Sequence, residues 1–122
     1  MQEDMYREYV DRIERIHDEK ILVENQMRQL DDFTNEIKSL DYSMDTMMEE
    51  LFLTNRDDYS FIKELEDINN EMIQARISVD KNIGNKYEEY TNEVKHLTSL
   101  EEQVEQDYRE YMYENNNQED VY

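Results

Sequence analysis

The sequence predicts an all-α protein: a long antiparallel two-helix hairpin with coiled-coil packing, completed into a helical bundle by dimerisation or by a partner. Three observations predict this fold. The 122 residues include no Pro and one Gly, so the chain lacks the turn residues that sheets and compact α/β folds need. Only 37% of the residues are hydrophobic, which suits a narrow seam between helices better than a compact core. Apolar residues also recur at alternating steps of three and four through both halves.

The first helix is predicted over residues 5–53, because a single row of seam positions runs through it. Every seam position that follows a step of three is apolar. The row contains three polar residues, Lys20, Thr34 and Asp41, and each of them follows a step of four. This regularity favours a coiled coil over an ordinary surface helix. The row consists of Tyr6, Tyr9, Ile13, Ile16, Lys20, Val23, Met27, Leu30, Thr34, Ile37, Asp41, Met44, Met48 and Leu51.

A turn is predicted over residues 54–58. This segment contains no apolar residue, and Thr54, Asn55, Asp57 and Asp58 are all residue types that cap helix N-termini. The alternative is one unbroken helix of about 160 Å, at roughly 1.5 Å per residue. We favour the hairpin because the apolar row stops at this point and resumes after it.

The second helix is predicted over residues 59–113. Its seam row steps by four twice in succession around Gly84, which predicts a kink or an unwound turn within residues 82–86. Residues 114–122 carry acids and amides and only two apolar residues at their end, so they are predicted to be a disordered acidic tail. The row consists of Phe61, Leu65, Ile68, Met72, Ala75, Val79, Ile83, Tyr87, Tyr90, Val94, Leu97, Glu101, Val104, Tyr108 and Tyr111.

The matching lengths of the two helices predict their register. Residues whose numbers sum to about 116–117 should lie level. Asp41, the one acid in the first seam, then lies opposite Arg76, and a carboxylate beside a guanidinium supports this register. The same register brings Tyr6 and Tyr9 near Tyr108 and Tyr111, as an aromatic cluster.

The composition argues against several classes of function. A net charge of −20 repels phosphate backbones and anionic membrane surfaces, so nucleic-acid binding is not expected. No stretch approaches about 18 consecutive apolar residues, so membrane insertion is not expected either. There is no Cys, so thiolate metal sites are excluded. A two-helix hairpin has no concave cavity that excludes water, so no metal, cofactor or catalytic site is expected. The acidic first five residues do not resemble a secretory signal. The protein is therefore expected in the cytoplasm, unless it is exported together with a client.

Apolar residues beside the seam predict a second interface, because a two-helix hairpin buries only one stripe on each helix. The partner would be a second copy, giving a four-helix bundle, or another helical protein. The candidate partner-binding residues are Ile21, Phe33, Leu40, Met47, Ile62, Ile73, Ile77 and Leu100.

The layout from about residue 6 to residue 112 resembles the LXG-associated α-helical (Lap) accessory proteins of type VII secretion in Gram-positive bacteria. The resemblance lies in an acidic helix containing Val23-Glu24-Asn25-Gln26-Met27-Arg28-Gln29-Leu30, a break containing Leu51-Phe52-Leu53-Thr54-Asn55, and a second helix rich in Tyr and Glu. It implies a cytoplasmic targeting chaperone or adaptor that binds the helical N-terminal LXG domain of a toxin and aids its export.

Two features of the related secreted proteins are missing. There is no Trp for a WxG turn. The positions four after Tyr111 and Tyr113 are Asn115 and Asn117, so the Tyr-x-x-x-Asp/Glu export signal is missing too. The resemblance therefore implies the partner that has no export signal of its own. The alternative function is a self-associating structural coiled coil or scaffold.

Overall fold

A computed structural model describes the backbone of residues 2–120 and the side chains of residues 3–116. Two α-helices pack against each other as a hairpin: α1 spans Gln2–Thr54 and α2 spans Tyr59–Asp120. The described residues contain no strand. The predicted all-α hairpin is confirmed, and the alternative of one unbroken helix is wrong.

The turn lies where the sequence predicts it. Asn55 ends α1, since its backbone N–H and its side-chain Nδ2 both donate to the carbonyl of Leu51, at 3.1 and 2.9 Å. Asp58 begins α2, because its Oδ1 accepts a hydrogen bond of 3.1 Å from the backbone N–H of Phe61. That bond satisfies one of the amides that a helix start leaves without a partner. Of the four candidate capping residues, Asp58 caps α2.

Both helices are longer than predicted. Helix α1 already begins at Gln2, and α2 continues to Asp120 instead of ending at residue 113. Residues 114–120 of the predicted disordered tail are therefore helical, and the last two residues lie outside the described part of the chain. The segment after Gly84 contains no Gly or Pro, so no residue type in it forces the helix to end.

The double step of four near Gly84 is visible in the burial pattern. Val79, Ile83 and Tyr87 are all half-buried, so the seam does advance by four residues twice. The helix is nevertheless unbroken from 82 to 86, and Gly84 does not take a positive φ. The extra residue is accommodated within a continuous α-helix.

The chain forms two compact units. The terminal unit combines Met1–Gln26 with Glu89–Tyr122, and the central unit is Met27–Glu88. In the terminal unit, Ile16, Val23 and Leu97 form a buried cluster, and Tyr90, Val94 and Val104 pack against it. In the central unit, Met48 and Leu65 are buried. These five are the buried hydrophobic residues of the described chain, which is the narrow seam that its composition predicts.

The seam row of α1 agrees with the prediction. Every predicted position from Tyr9 to Leu51 is buried or half-buried, whereas Tyr6 is exposed. The polar positions Lys20, Thr34 and Asp41 are half-buried with the rest. Steps of three and four therefore identify the packed stripe of this helix correctly.

The seam row of α2 differs from the prediction between Leu65 and Val79. Ile68 is 49% exposed and Ala75 is exposed, while the next residues, Asn69 and Arg76, are half-buried. Arg76 occupies the seam because it forms ion pairs with two carboxylates of α1. The stripe that faces α1 therefore passes through polar residues, and Ile68 is left facing solvent.

Candidate protein-binding surface

The structure leaves seven of the eight candidate partner-binding residues exposed. They are Ile21, Phe33, Leu40, Met47, Ile73, Ile77 and Leu100. Ile62 is half-buried, so its assignment to the outer surface is wrong. It lies seven residues before Asn69, and two helical turns return it to the stripe that faces α1.

The candidates are divided between the two units. Ile21 and Leu100 belong to the terminal unit, and the other six belong to the central unit. The structure also exposes large apolar side chains that the sequence interpretation missed: Leu22, Leu53 and Ile68. Leu22 lies next to the seam position Val23, and Leu53 lies two residues after the last seam position of α1, Leu51. An apolar residue in such an outer position was a detectable signal.

One side of the central unit is apolar. Phe33, Leu40 and Met47 follow one another at intervals of seven, so they lie on one side of α1. Ile68 and Ala75 have the same spacing on α2. Leu40 and Ala75 line a common cleft, which places both rows on the same side of the helix pair. We call this surface the apolar face: Phe33, Leu40, Met47, Ile68 and Ala75.

The cleft has a volume of about 190 Å³. Its walls are mostly apolar, and Ala75 contributes only a methyl group where longer side chains surround it. An apolar cavity of roughly 150 Å³ holds a benzene-sized group, so this cleft has room for one large apolar side chain. The lining residues are Ile37, Leu40, Asp41, Met44, Met72, Ala75, Arg76, Val79 and Asp80.

The seam of the central unit also carries polar contacts. Arg76 Nη1 donates to Asp45 Oδ1 at 2.8 Å, and Nη2 donates to the carbonyl of Asp41 at 3.2 Å. Arg76 Nε lies 3.1 Å from Asp41 Oδ1, at ion-pair distance but without hydrogen-bond geometry. The hydrogen bond with Asp45, followed by the charges of both carboxylates, raises the pKa of Arg76. The predicted pairing of Asp41 with Arg76 is confirmed.

A second polar contact of the central unit joins Tyr87 to Asp31. The phenol of Tyr87 donates a hydrogen bond to Asp31 Oδ1. The hydroxyl of Thr34, which donates to the carbonyl of Leu30 at 2.7 Å, also contacts Tyr87. The bond to the carboxylate raises the pKa of Tyr87 above its ordinary value of 10.0, because an ionised phenol would lose this donor and face a second negative charge.

This contact predicts that stability falls at high pH. A raised pKa in the folded state means that the folded protein holds this proton more tightly than the unfolded chain does. The contribution of Tyr87 is therefore complete below about pH 10 and is lost as the pH rises through the folded pKa. The difference in unfolding free energy between the wild type and Tyr87→Phe should be constant from about pH 7 to 9 and shrink above about pH 10.

The measurement is urea unfolding, followed by circular dichroism, at each pH. Tyr42→Phe is the matched control, because Tyr42 is exposed and should show no such trend. A wild-type advantage over Tyr87→Phe that stayed equal at pH 8 and about pH 11 would contradict the role of this hydrogen bond.

The terminal unit holds three of the four tyrosines of the predicted aromatic cluster in ring contact, and Tyr111 is not among them. The rings of Tyr9 and Tyr108 stack with centroids 4.3 Å apart, and the rings of Tyr6 and Tyr108 lie 6.3 Å apart at an angle of 56°. Tyr108 is the ring that both residues of α1 contact. Such pairs stabilise a packed helix end beyond the area they bury.

A polar contact of the terminal unit involves one of the two histidines. Glu101 Oε2 lies 3.1 Å from Lys20 Nζ and 3.5 Å from His17 Nε2. Lys20 and Glu101 are both seam positions, and each side chain is about one fifth exposed. In the part of the chain that the structure describes, no three His, Asp or Glu side chains converge into a group able to hold a metal ion.

Neither helix, as far as the structure describes it, contains a stretch apolar and long enough to cross a membrane. Comparisons with known proteins give no assignment: we found no family model, curated protein or solved structure that matches this chain significantly.

Proposed function

We propose that this chain is a helical adaptor or targeting chaperone in the cytoplasm, which binds the helical N-terminal domain of an LXG-type secreted toxin and aids its type VII export. The observation that carries the proposal is the apolar face of the central unit. Four of its side chains, Phe33, Leu40, Met47 and Ile68, are each about half exposed. Contiguous apolar surface of this kind on a soluble protein marks an interaction site.

The shape of the face favours a helical partner. Its two rows run along neighbouring helices, and helices that offer apolar rows at intervals of seven bind another helix in the groove between them. Phe33 and Met47 are fourteen residues apart, about 21 Å along α1 at roughly 1.5 Å per residue. A helix of about four turns covers this length.

The charge favours a client over a second copy. Each chain has a net charge of −20, so a dimer would carry a net charge of about −40, and its two chains would repel each other. A partner with a less acidic or basic surface avoids this repulsion. The identity of the client comes from the resemblance to LXG-associated accessory proteins, in which the helical toxin domain is bound before export.

The test is co-expression with the helical N-terminal domain of an LXG toxin encoded beside the gene for this chain. The expected result is a complex of fixed stoichiometry in size-exclusion chromatography with light scattering, and reduced toxin secretion when the gene is deleted. A chain that binds no such domain and forms a stable dimer or tetramer alone would instead be a self-associating scaffold.

A further inference from the structure

The apolar face has an acidic border on both helices. On α1, Glu36 follows Phe33 by three residues and Glu50 follows Met47 by three, so both lie on the outer edge of that row. On α2, Glu64 precedes Ile68 by four and Glu71 follows it by three. All four side chains are exposed, and none of them forms an ion pair with another described residue.

A fifth acid lies within the groove between the two rows of the apolar face. Asp80 lines the cleft together with Ala75, and no cation of the described residues lies within ion-pair distance of it. Asp41, which lines the same cleft, is already paired with Arg76. A ligand in the groove therefore meets a mostly apolar floor that includes the Asp41–Arg76 ion pair, a pocket for one large side chain, and unpaired carboxylates at the pocket and along both edges.

We propose that this groove takes a single amphipathic helix with Lys or Arg on both flanks of its apolar row, and that one large apolar side chain of that helix fills the cleft at Ala75. The inference rests on the proposed adaptor function and specifies its site and the chemistry of its partner. A row of apolar anchors supplies affinity, and the flanking cations pair with the acidic border and set the orientation.

A second copy of this chain fits the groove poorly. A symmetric dimer brings the same patch of each copy together, so the acidic border of one protomer would face that of the other. Like charges placed opposite each other weaken such an interface. A helix with Lys or Arg on its flanks would instead be attracted to the acidic border.

The test uses two synthetic helical peptides of about 18 residues with the same Leu row, one flanked by Lys and the other by Glu. The full-length chain, with methionine methyl groups labelled for NMR, reports where each peptide binds. Met44, Met47 and Met72 lie in or beside the groove, and Met5 lies in the terminal unit. The Lys peptide should shift the three groove methyls and leave Met5 unchanged, and the Glu peptide should shift none.

Two variants and a matched control test the site. Leu40→Glu should lower the affinity for the Lys peptide by about tenfold or more, since it places a charge among the apolar side chains of the groove. Leu22→Glu is the control, because Leu22 is 60% exposed against 55% for Leu40 and lies in the terminal unit. Ala75→Leu should fill the cleft, so it should raise the melting temperature while it lowers the affinity for the Lys peptide. A variant that is merely misfolded would show a lower melting temperature as well as a lower affinity.

Three results would overturn the inference: equal binding of both peptides, binding of neither, or groove methyls that stay unchanged while Met5 shifts. A wild-type dimer that Leu40→Glu dissociates would also overturn it, by making a second copy the occupant.

The proposed function fails separately. If the toxin domain does not bind while the Lys peptide shifts the groove methyls, the groove remains a binding site but the proposed client is wrong. If the toxin domain binds and shifts only Met5, the proposed client is correct but the groove is not its binding site.

Discussion

Leu97→Ala is expected to lower the free energy of unfolding by about 2–5 kcal/mol. Leu97 is 3% exposed and forms, with Ile16 and Val23, the buried cluster of the terminal unit. Three side chains make a small core, so the neighbours that remain cannot close the space left by one of them. The cost therefore includes a cavity as well as the lost burial.

Urea unfolding followed by circular dichroism measures this effect, at several protein concentrations so that self-association is detected. Leu22→Ala is the control, because the same substitution at a 60% exposed position should change the stability by less than about 0.5 kcal/mol. Equal losses in the two variants would mean that Leu97 does not belong to a packed core.

The double variant Lys20→Leu with Glu101→Leu is expected to be as stable as the wild type or more stable. Lys20 and Glu101 are seam positions that form an ion pair at 3.1 Å, and each side chain is largely buried. Replacing a buried ion pair with apolar residues often stabilises a protein by roughly 1–4 kcal/mol, because the ions no longer need to be desolvated. Partial exposure puts this pair at the lower end of that range.

The single variants should behave differently from the pair. Glu101→Leu leaves the ammonium group of Lys20 half-buried beside His17 without its carboxylate, so it should destabilise the hairpin. Thermal unfolding of the wild type, both single variants and the double variant forms a complete cycle. Additive effects of the two substitutions would show that the two side chains do not interact.

Most of the fold was predictable from local patterns. The seam of α1 was correct from Tyr9 onward, because steps of three and four put every one of those residues on a single stripe. The turn at 54–58 was also correct, because a stop in the apolar row coincides with residues that cap helices. The end of α2 was not, since a polar segment without Gly or Pro can either fray or remain helical.

The candidate site was predictable in part. Phe33, Leu40 and Met47 were identified from spacing alone and are exposed, as a row beside a seam must be. Ile68 was missed and Ile62 was misplaced for one common reason. Both errors follow from a seam on α2 that was expected to pass through Ile68 and passes instead through Asn69.

The sequence by itself determined that this protein is a helical hairpin with one turn, an acidic surface and more apolar rows than a single seam can bury. Periodicity and capping are local, so they can be read from neighbouring residues. Only the tertiary structure decided the rotation of α2 about its axis. That rotation brings Arg76 to Asp41, as the register predicts, and also to Asp45, and these two partners lie 35 and 31 residues away along the chain. It turns Ile68 and Ala75 outward beside Leu40 and so creates the apolar face with its cleft.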